Sequence, residues 1–142
     1  MFYHFKVHKD IDGYWAECVE LNGCQTQAEA LQDLKISMEE VLNLYLSEPQ
    51  GSKIIFPMPL KKSPPGSNIF KIAVDPSVAF SFLMRKTRLQ KKLTLKEMAK
   101  MLNYKNINTY AKLERAATAN PELKTLAKIK NIFSDFPIAL IL

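Results

Sequence analysis

The chain is poor in the residues that build small binding and redox sites: its 142 residues include four glycines, two cysteines and two histidines. No glycine-rich phosphate-binding loop is present. Cys18 and Cys24 make neither a disulfide framework nor a zinc site, so we expect two reduced thiols. His4 and His8 lie about 13 Å apart on a predicted strand, which excludes shared chelation of one ion. We therefore predict no metal and no cofactor.

Long apolar runs are missing too. No segment approaches the roughly 18 apolar residues that indicate a membrane-spanning helix. Lys6, Lys9 and Asp10 interrupt the beginning of the chain, which therefore does not resemble a signal peptide. We expect a cytoplasmic protein with no membrane partner. Apolar residues still make up 47% of the chain, enough for one ordinary or two small packed domains.

The net charge of +6 is divided unevenly along the chain. Residues 1–50 carry three lysines against nine carboxylates, a formal charge of −6. Residues 51–142 carry seventeen lysines and arginines against five carboxylates, a formal charge of +12. An acidic front and a basic back indicate two domains with different partners, which we predict at 1–75 and 76–142. The basic half suits a phosphate backbone, although basic charge also serves solubility.

The acidic half has the pattern of a small sheet with one helix. Alternating apolar residues predict strands, and a 3.6-residue apolar period predicts a helix packed on the sheet. Thr26 and Glu29 have the spacing of a capping box and are expected to begin that helix. In chain order we predict strands over 2–8, 14–21 and 24–25, a helix from about 27 to 48, and a strand over 69–74.

Four carboxylates in this half are candidates for a nuclease site. Two-metal hydrolysis needs carboxylates that converge on ions roughly 4 Å apart. Asp10 and Asp12 fall in a predicted turn, where aspartate bonds to the backbone. Glu17 and Glu20 are three positions apart on a predicted strand and so point to opposite faces. We interpret all four as surface residues and predict that the protein is not an enzyme.

Residues 94–115 predict a helix-turn-helix. Thr94 and Glu97 form a capping box, and apolar residues then recur at i, i+3, i+4 and i+7. Asn103 tolerates the left-handed backbone that ends many helices. A second short helix follows, with an apolar face that is predicted to include Ile107 and a polar, basic face toward solvent.

The polar face of this second helix is the predicted DNA-binding surface. Such a helix enters the major groove, where asparagine suits adenine, while lysine and arginine more often contact phosphates. An alternative role for Asn106 is to cap the helix. One such helix covers few base pairs, so we expect a homodimer or tetramer on DNA. The predicted DNA-binding residues are Asn106, Asn108 and Thr109 near the bases, and Lys105, Lys112 and Arg115 near the phosphates.

Helices are predicted on both sides of this motif. The first follows a cap at Asp75, spans 76–92 and places Arg85 and Arg88 among its solvent-facing basic residues. The other is expected to begin at Asn120 and Pro121. The apolar tail over 137–142 is predicted to be covered as a strand, because an exposed apolar tail promotes aggregation.

Residues 85–133 resemble the XRE/Cro-type helix-turn-helix. Most members of that family carry glycine where this chain has Asn103, and the turn here is one residue longer. The matching stretches are Leu95-Lys96-Glu97-Met98-Ala99, Leu113-Glu114-Arg115 and Asn120-Pro121.

The N-terminal half resembles the HicB antitoxin domain. That family combines an aromatic strand, a Leu-x-Gly-Cys-x-Thr turn, a helix opening with Glu-Ala-Leu, and a proline-rich connection. The proline that commonly follows its second strand is absent here. The matching stretches are Trp15-Ala16-Glu17, Leu21-Asn22-Gly23-Cys24-Gln25-Thr26, Glu29-Ala30-Leu31 and Pro57-Met58-Pro59-Leu60.

The resemblance implies an α+β fold. A small antiparallel sheet with one packed helix, partly like ribonuclease H, precedes an all-α helix-turn-helix domain. It also implies a type II antitoxin that blocks a basic, RNA-cleaving HicA-like toxin and represses its own operon. The alternative is a stand-alone DNA-binding transcriptional regulator with a ligand- or partner-binding N-terminal domain. The residues assigned to toxin contact are Trp15, Glu17, Glu20, Asn22, Gly23 and Gln25.

Overall fold

In the computed structural model, which describes residues 1–48 and 51–142, the chain divides into two units. The N-terminal unit comprises Met1–Leu46 and Phe56–Val74 and contains a sheet and a helix. The C-terminal unit comprises Asp75–Leu142 and the described part of Ser47–Ile55, and it is helical. The α+β class predicted from the sequence is confirmed.

The N-terminal sheet has four antiparallel strands in the order β3-β2-β1-β4. Gly13 closes the β1–β2 hairpin with a φ of 146°, and a Cβ there would lie 2.5 Å from the carbonyl oxygen of Ala28. Only glycine fits that backbone and that approach. The strands are β1 (Phe2–Asp10), β2 (Gly13–Cys18), β3 (Gln25–Ala28) and β4 (Ile69–Ala73).

Helix α1 (Leu31–Leu46) packs on one face of this sheet. Its buried residues repeat every four positions, and the helix contacts β2, β3 and β4. Tyr3 and Phe5 of β1 are fully buried. The capping box predicted at Thr26 and Glu29 is wrong. Thr26 lies in β3 opposite Ala16, so its backbone belongs to the sheet, and the helix begins only at Leu31. The buried residues of α1 are Leu34, Met38, Leu42 and Leu46.

A buried carboxylate connects distant parts of this unit. The side chain of Glu20 is 2% exposed. It accepts hydrogen bonds from the backbone N–H groups of His4 (2.9 Å) and Leu60 (3.0 Å), and it lies 2.8 Å from His4 Nδ1. Nearby, the Tyr3 hydroxyl donates to the carbonyl of Pro57 at 2.7 Å, and burial raises the pKa of this phenol. These hydrogen bonds hold the proline-rich segment 57–60 against the sheet.

The C-terminal unit begins with a capped helix. Asp75 Oδ1 accepts hydrogen bonds from the backbone N–H (2.9 Å) and the hydroxyl (2.6 Å) of Ser77, which confirms the predicted cap. The hydrogen bond from the Ser77 side chain is the main reason that the pKa of Asp75 is lowered. The elements are α2 (Pro76–Gln90), α3 (Leu95–Met101), α4 (Ile107–Ala111), a 3-10 turn (Lys112–Glu114), α5 (Leu123–Ile132) and a final 3-10 turn (Ile138–Leu140).

The start of α5 differs from the prediction. Asn120 and Pro121 do not begin the helix; the N-cap is Glu122, whose side chain makes no cap hydrogen bond. The segment before Asn120 is hydrogen-bonded to the preceding 3-10 turn: the Thr118 hydroxyl donates to the Lys112 carbonyl at 2.7 Å.

The predicted strand over 137–142 is also wrong. Phe136 is buried against Phe80 with the ring centroids 6.3 Å apart, and the chain then coils into a 3-10 turn. Ile138, Leu140 and Ile141 donate their backbone N–H groups to carbonyls two or three residues earlier, so these groups are not offered to a sheet. None of the described helices is long and apolar enough to cross a membrane.

Candidate nucleic-acid interface

Helix α3 is fixed by a capping box at its beginning and by a lysine of α5 at its end. Thr94 Oγ1 accepts from the Glu97 backbone N–H at 3.1 Å, and the Glu97 carboxylate accepts from the Thr94 N–H at 3.2 Å, which confirms the capping box. Its buried residues include Met98 and Ala99. At its other end, Lys128 Nζ donates to the Leu102 carbonyl at 3.0 Å, a favourable place for a cation.

The turn after α3 depends on Asn103, which adopts a φ of 59° as predicted. Its backbone N–H donates to the Lys100 carbonyl at 3.1 Å, and the Tyr104 N–H donates to the Ala99 carbonyl at 2.8 Å. This pair of bonds is the Schellman arrangement, in which a left-handed residue ends the helix and satisfies its last carbonyls. Asparagine is one of the few residues that adopt this conformation without glycine's freedom.

Helix α4 begins with Asn106 as its cap. Asn106 Oδ1 accepts from the Asn108 backbone N–H at 2.8 Å. Bidentate pairing with adenine needs both the oxygen and the nitrogen of an asparagine amide, so a capping Asn106 is not free for it. The capping role that the sequence left open for Asn106 is the one that the structure contains.

The two faces of α4 and the following 3-10 turn are sharply different. Tyr110, Ala111 and Leu113 are buried. The prediction that Ile107 joins them is wrong, because its side chain is 41% exposed at the start of the helix. Most of the predicted DNA-binding residues are exposed, namely Lys105, Asn106, Asn108, Thr109 and Lys112, whereas Arg115 is half-buried.

Arg115 presents its guanidinium less freely than the lysines do. Its Nε is buried and has no hydrogen-bond partner within the part of the chain that the structure describes. The most accessible positive charge therefore comes from lysines. Those exposed on α3, α4 and their surroundings are Lys96, Lys100, Lys105, Lys112 and Lys124.

A buried ion pair holds the 3-10 turn that follows α4 against α2. Arg88 Nε and Nη2 donate to the two carboxylate oxygens of Glu114 at 2.7 and 2.9 Å, and Arg88 Nη1 donates to the Leu93 carbonyl at 3.2 Å. The Tyr110 hydroxyl donates to the same carboxylate in a short bond. The bond to Glu114 raises the pKa of Arg88, and burial raises that of Tyr110.

The prediction that Arg85 and Arg88 face solvent is wrong for both. Arg85 is buried, and desolvation lowers the pKa of its guanidinium. Arg88 lies on the same helical stripe as the buried Met84 and Phe80, four and eight residues earlier, so its partner must also be buried. That periodicity was the signal available in the sequence for the ion pair with Glu114.

The residues predicted to contact a protein partner fall into two groups. Trp15 and Glu17 lie on the sheet face away from α1, where the Trp15 ring stacks on His8 with centroids 4.0 Å apart. His8 Nε2 lies 3.4 Å from a Glu17 carboxylate oxygen. Gln25 lies opposite Glu17 on the edge strand β3, and Asn22 and Gly23 are exposed in the preceding turn.

Glu20 does not belong to that exposed surface. Its buried carboxylate is engaged by His4 and by the Leu60 backbone, as described above. Among the other carboxylates of this half, Asp10 Oδ1 accepts a hydrogen bond from the Ile11 N–H at 2.7 Å in the hairpin turn. Within residues 1–48 and 51–142, no group of three His, Cys, Asp or Glu residues has the arrangement of a metal site.

A groove beside β3 was not predicted from the sequence. It has a volume of about 1040 Å³, and the hairpin tip next to it exposes 97% of Ile11. An isoleucine in a turn between two aspartates was the available signal, because nothing in a turn requires a large apolar residue there. The groove is lined by Asp10, Asp12, Trp15, Gln25, Gln27 and Glu29, among other residues.

Comparison with known families concerns the C-terminal unit. Residues 84–134 match the helix-turn-helix family of the XRE type. This match covers the capping box, the Asn103 turn, α4 and α5 described above. No curated protein matches the chain. The chain therefore contains a helix-turn-helix that binds DNA in the manner of transcriptional regulators.

Removing two exposed lysines should weaken DNA binding without regard to sequence. We expect Lys105→Ala combined with Lys112→Ala to reduce the slope of log K against log salt by about 2, because each phosphate contact contributes roughly 0.9. The measurement is a salt titration of binding to a random-sequence duplex. Lys9→Ala combined with Lys61→Ala removes the same charge from the N-terminal unit and should leave the slope unchanged. An unaltered slope in Lys105→Ala with Lys112→Ala would show that this surface does not bind the DNA phosphates.

Proposed function

We propose that this protein is an antitoxin of the HicB type. Its C-terminal unit binds operator DNA of its own operon, and its N-terminal unit binds a small basic HicA-like toxin that cleaves RNA. The resemblance of the N-terminal sequence to HicB supports this function, and so does the helix-turn-helix at 84–134. We further propose that the protein acts in the cytoplasm and is not itself an enzyme.

One observation supports the proposal most strongly: an acidic surface with exposed apolar and aromatic groups lies in the same chain as a basic DNA-binding unit. The acidic surface is local to the hairpin tip, where Asp10, Asp12 and Glu29 line the groove beside Ile11. Residues 75–142 carry thirteen lysines and arginines against five carboxylates, a formal charge of +8. A basic toxin would be attracted to the first and repelled by the second, and such complementarity favours the correct partner. The exposed Ile11 and the half-buried Trp15 provide the apolar anchors that protein interfaces need.

The inhibition we propose is steric. A toxin held on the open sheet face and the hairpin tip would have its active site covered, so that RNA is excluded. The binding unit needs no reacting groups of its own for this function. Repression would use a homodimer or tetramer, because two recognition helices one DNA turn apart cover a two-fold symmetric operator.

The test is co-expression with the product of the neighbouring small reading frame. We expect that product to arrest growth alone, and the full chain to rescue growth and to co-purify with it. Ile11→Asp should weaken the complex by at least about ten-fold, since a charge would replace an exposed anchor. Leu44→Asp is the matched control, because Leu44 is 75% exposed on α1, behind the sheet.

The possible results distinguish an error in the assigned binding surface from an error in the proposed function. Loss of binding in Leu44→Asp, with Ile11→Asp unaffected, would place the partner on the helix face instead. Absence of both rescue and complex would contradict the antitoxin function itself. Lys105→Ala with Lys112→Ala should keep the rescue and lose repression, because it alters the DNA-binding unit alone.

A second candidate function is a stand-alone transcriptional regulator whose N-terminal unit binds a small ligand. The groove of about 1040 Å³ beside β3 favours it, since small ligands bind in concave sites. In that case the neighbouring product would be harmless, and Gln27→Trp would be expected to fill the groove and remove the ligand's effect on DNA affinity.

A further inference from the structure

Ile107 is an apolar residue placed among polar ones on the DNA-binding surface. Helical spacing would put it on the stripe of Tyr110 and Ala111, both of which are buried. Because it is the first residue of α4, however, it lies beyond the edge of the core and is 41% exposed. Its sequence neighbours Asn106 and Asn108 are exposed and polar. A large part of this apolar side chain is therefore left in solvent on the predicted DNA-binding surface.

The polar residues beside Ile107 do not all remain available to contact base edges. Asn106 uses its side-chain oxygen for the cap, so Asn108 and Thr109 remain the polar candidates for base edges. The β-branched side chain of Ile107, between Asn106 and Asn108, offers no hydrogen bond. It can discriminate bases only through apolar contact, and the major groove displays one apolar group, the C5 methyl of thymine.

We propose that Ile107 is a specificity-determining residue that contacts a thymine methyl group in the major groove. An Ile107–methyl contact would favour a T·A pair over the other three at one position of each half-site. This inference rests on the helix-turn-helix match and is independent of the proposed toxin partner. It adds an apolar determinant to the polar residues Asn108 and Thr109.

The test combines a protein change with a DNA change that removes the methyl alone. Preferred sites are first selected from a random-sequence pool with the full wild-type chain. Each thymine is then replaced by deoxyuridine, which keeps every hydrogen-bonding group. We expect one replacement per half-site to weaken wild-type binding by about four-fold, the effect of one buried methyl. Ile107→Ala should bind the thymine and uracil sites equally.

Controls keep this result interpretable. Ile107→Val retains β-branched methyls and should preserve part of the preference for thymine. Leu123→Ala removes another exposed apolar side chain, 82% exposed on α5, and should leave the preference intact. Ile107→Ala should unfold at the wild-type temperature. The proposal is overturned if no uracil replacement matters to the wild type, if Ile107→Ala shows the same uracil effect, or if selection returns no preferred sequence.

Discussion

Glu114→Gln is expected to lower the free energy of unfolding of the C-terminal unit by about 3 to 5 kcal/mol, the usual cost of leaving one member of a buried ion pair without its partner. Arg88 remains charged in the variant, and its bond to Glu114 is the main cause of its raised pKa. A glutamine amide offers a single oxygen where the guanidinium now donates to two. The remaining charge is therefore buried without compensation.

The measurement is chemical denaturation followed by far-ultraviolet circular dichroism. Glu122→Gln makes the same chemical change at an exposed position whose side chain makes no cap bond, and it should alter stability by less than about 0.5 kcal/mol. DNA binding should fall together with stability in Glu114→Gln, since the carboxylate also accepts a hydrogen bond from Tyr110 of α4. A loss smaller than about 1 kcal/mol would contradict the role given to this pair.

An apolar replacement of the whole cluster separates charge from packing. The triple variant Arg88→Met, Glu114→Leu and Tyr110→Phe removes every charge and hydroxyl at once. Such replacements are often neutral or stabilising when volume is kept. Recovery of stability in this variant would show that the single variant fails through an unpaired charge.

Glu20→Gln is expected to cost the N-terminal unit about 2 to 4 kcal/mol. Hydrogen bonds to a charged group contribute roughly 1.5 to 3 kcal/mol each, and this carboxylate accepts two backbone bonds, from His4 and Leu60. A glutamine nitrogen would face one of those N–H groups. Because Leu60 belongs to the proline-rich segment, we expect that segment to show faster amide hydrogen exchange in the variant.

Glu17→Gln is the control on the neighbouring strand. The Glu17 side chain is 45% exposed, and its distance of 3.4 Å from His8 Nε2 is long for an ion pair. Neutralising Glu17 should therefore cost less than about 1 kcal/mol of stability. The pair of variants also decides between two roles of Glu20. If Glu20 contacts a partner, Glu20→Gln should weaken partner binding and leave stability unchanged. If Glu20 has the structural role that its burial indicates, the variant should lose stability while the folded protein still binds the partner.

The two capping boxes show how far local sequence reasoning reaches. Thr94 and Glu97 make both reciprocal bonds, while Thr26 and Glu29 have the same spacing and begin no helix. The difference is not local: Thr26 pairs with Ala16 across the sheet, and strand pairing takes the backbone groups that a cap would use. A pattern four residues long cannot record a partner ten positions away.

Burial of charged residues was the other source of error. Arg88 and Glu114 are 26 residues apart, and His4 and Glu20 are 16 apart, so neither pair is visible in any short window. A short sequence pattern places charged residues in solvent, because charged groups are rarely buried alone. The exposed elements of the DNA-binding surface were predicted more completely, since turn chemistry at Asn103 and the cap at Asn106 are decided by adjacent residues.

The stacked pair of Trp15 and His8 has a practical consequence for experiments. Trp15 is the single tryptophan of the chain, and it lies in the N-terminal unit. Its emission, sensitive to the imidazole 4.0 Å away and to the polarity of the open sheet face, therefore reports on that unit alone. The helical unit contributes only tyrosine and phenylalanine, so selective excitation of the indole distinguishes the unfolding of one half from that of the other without any label.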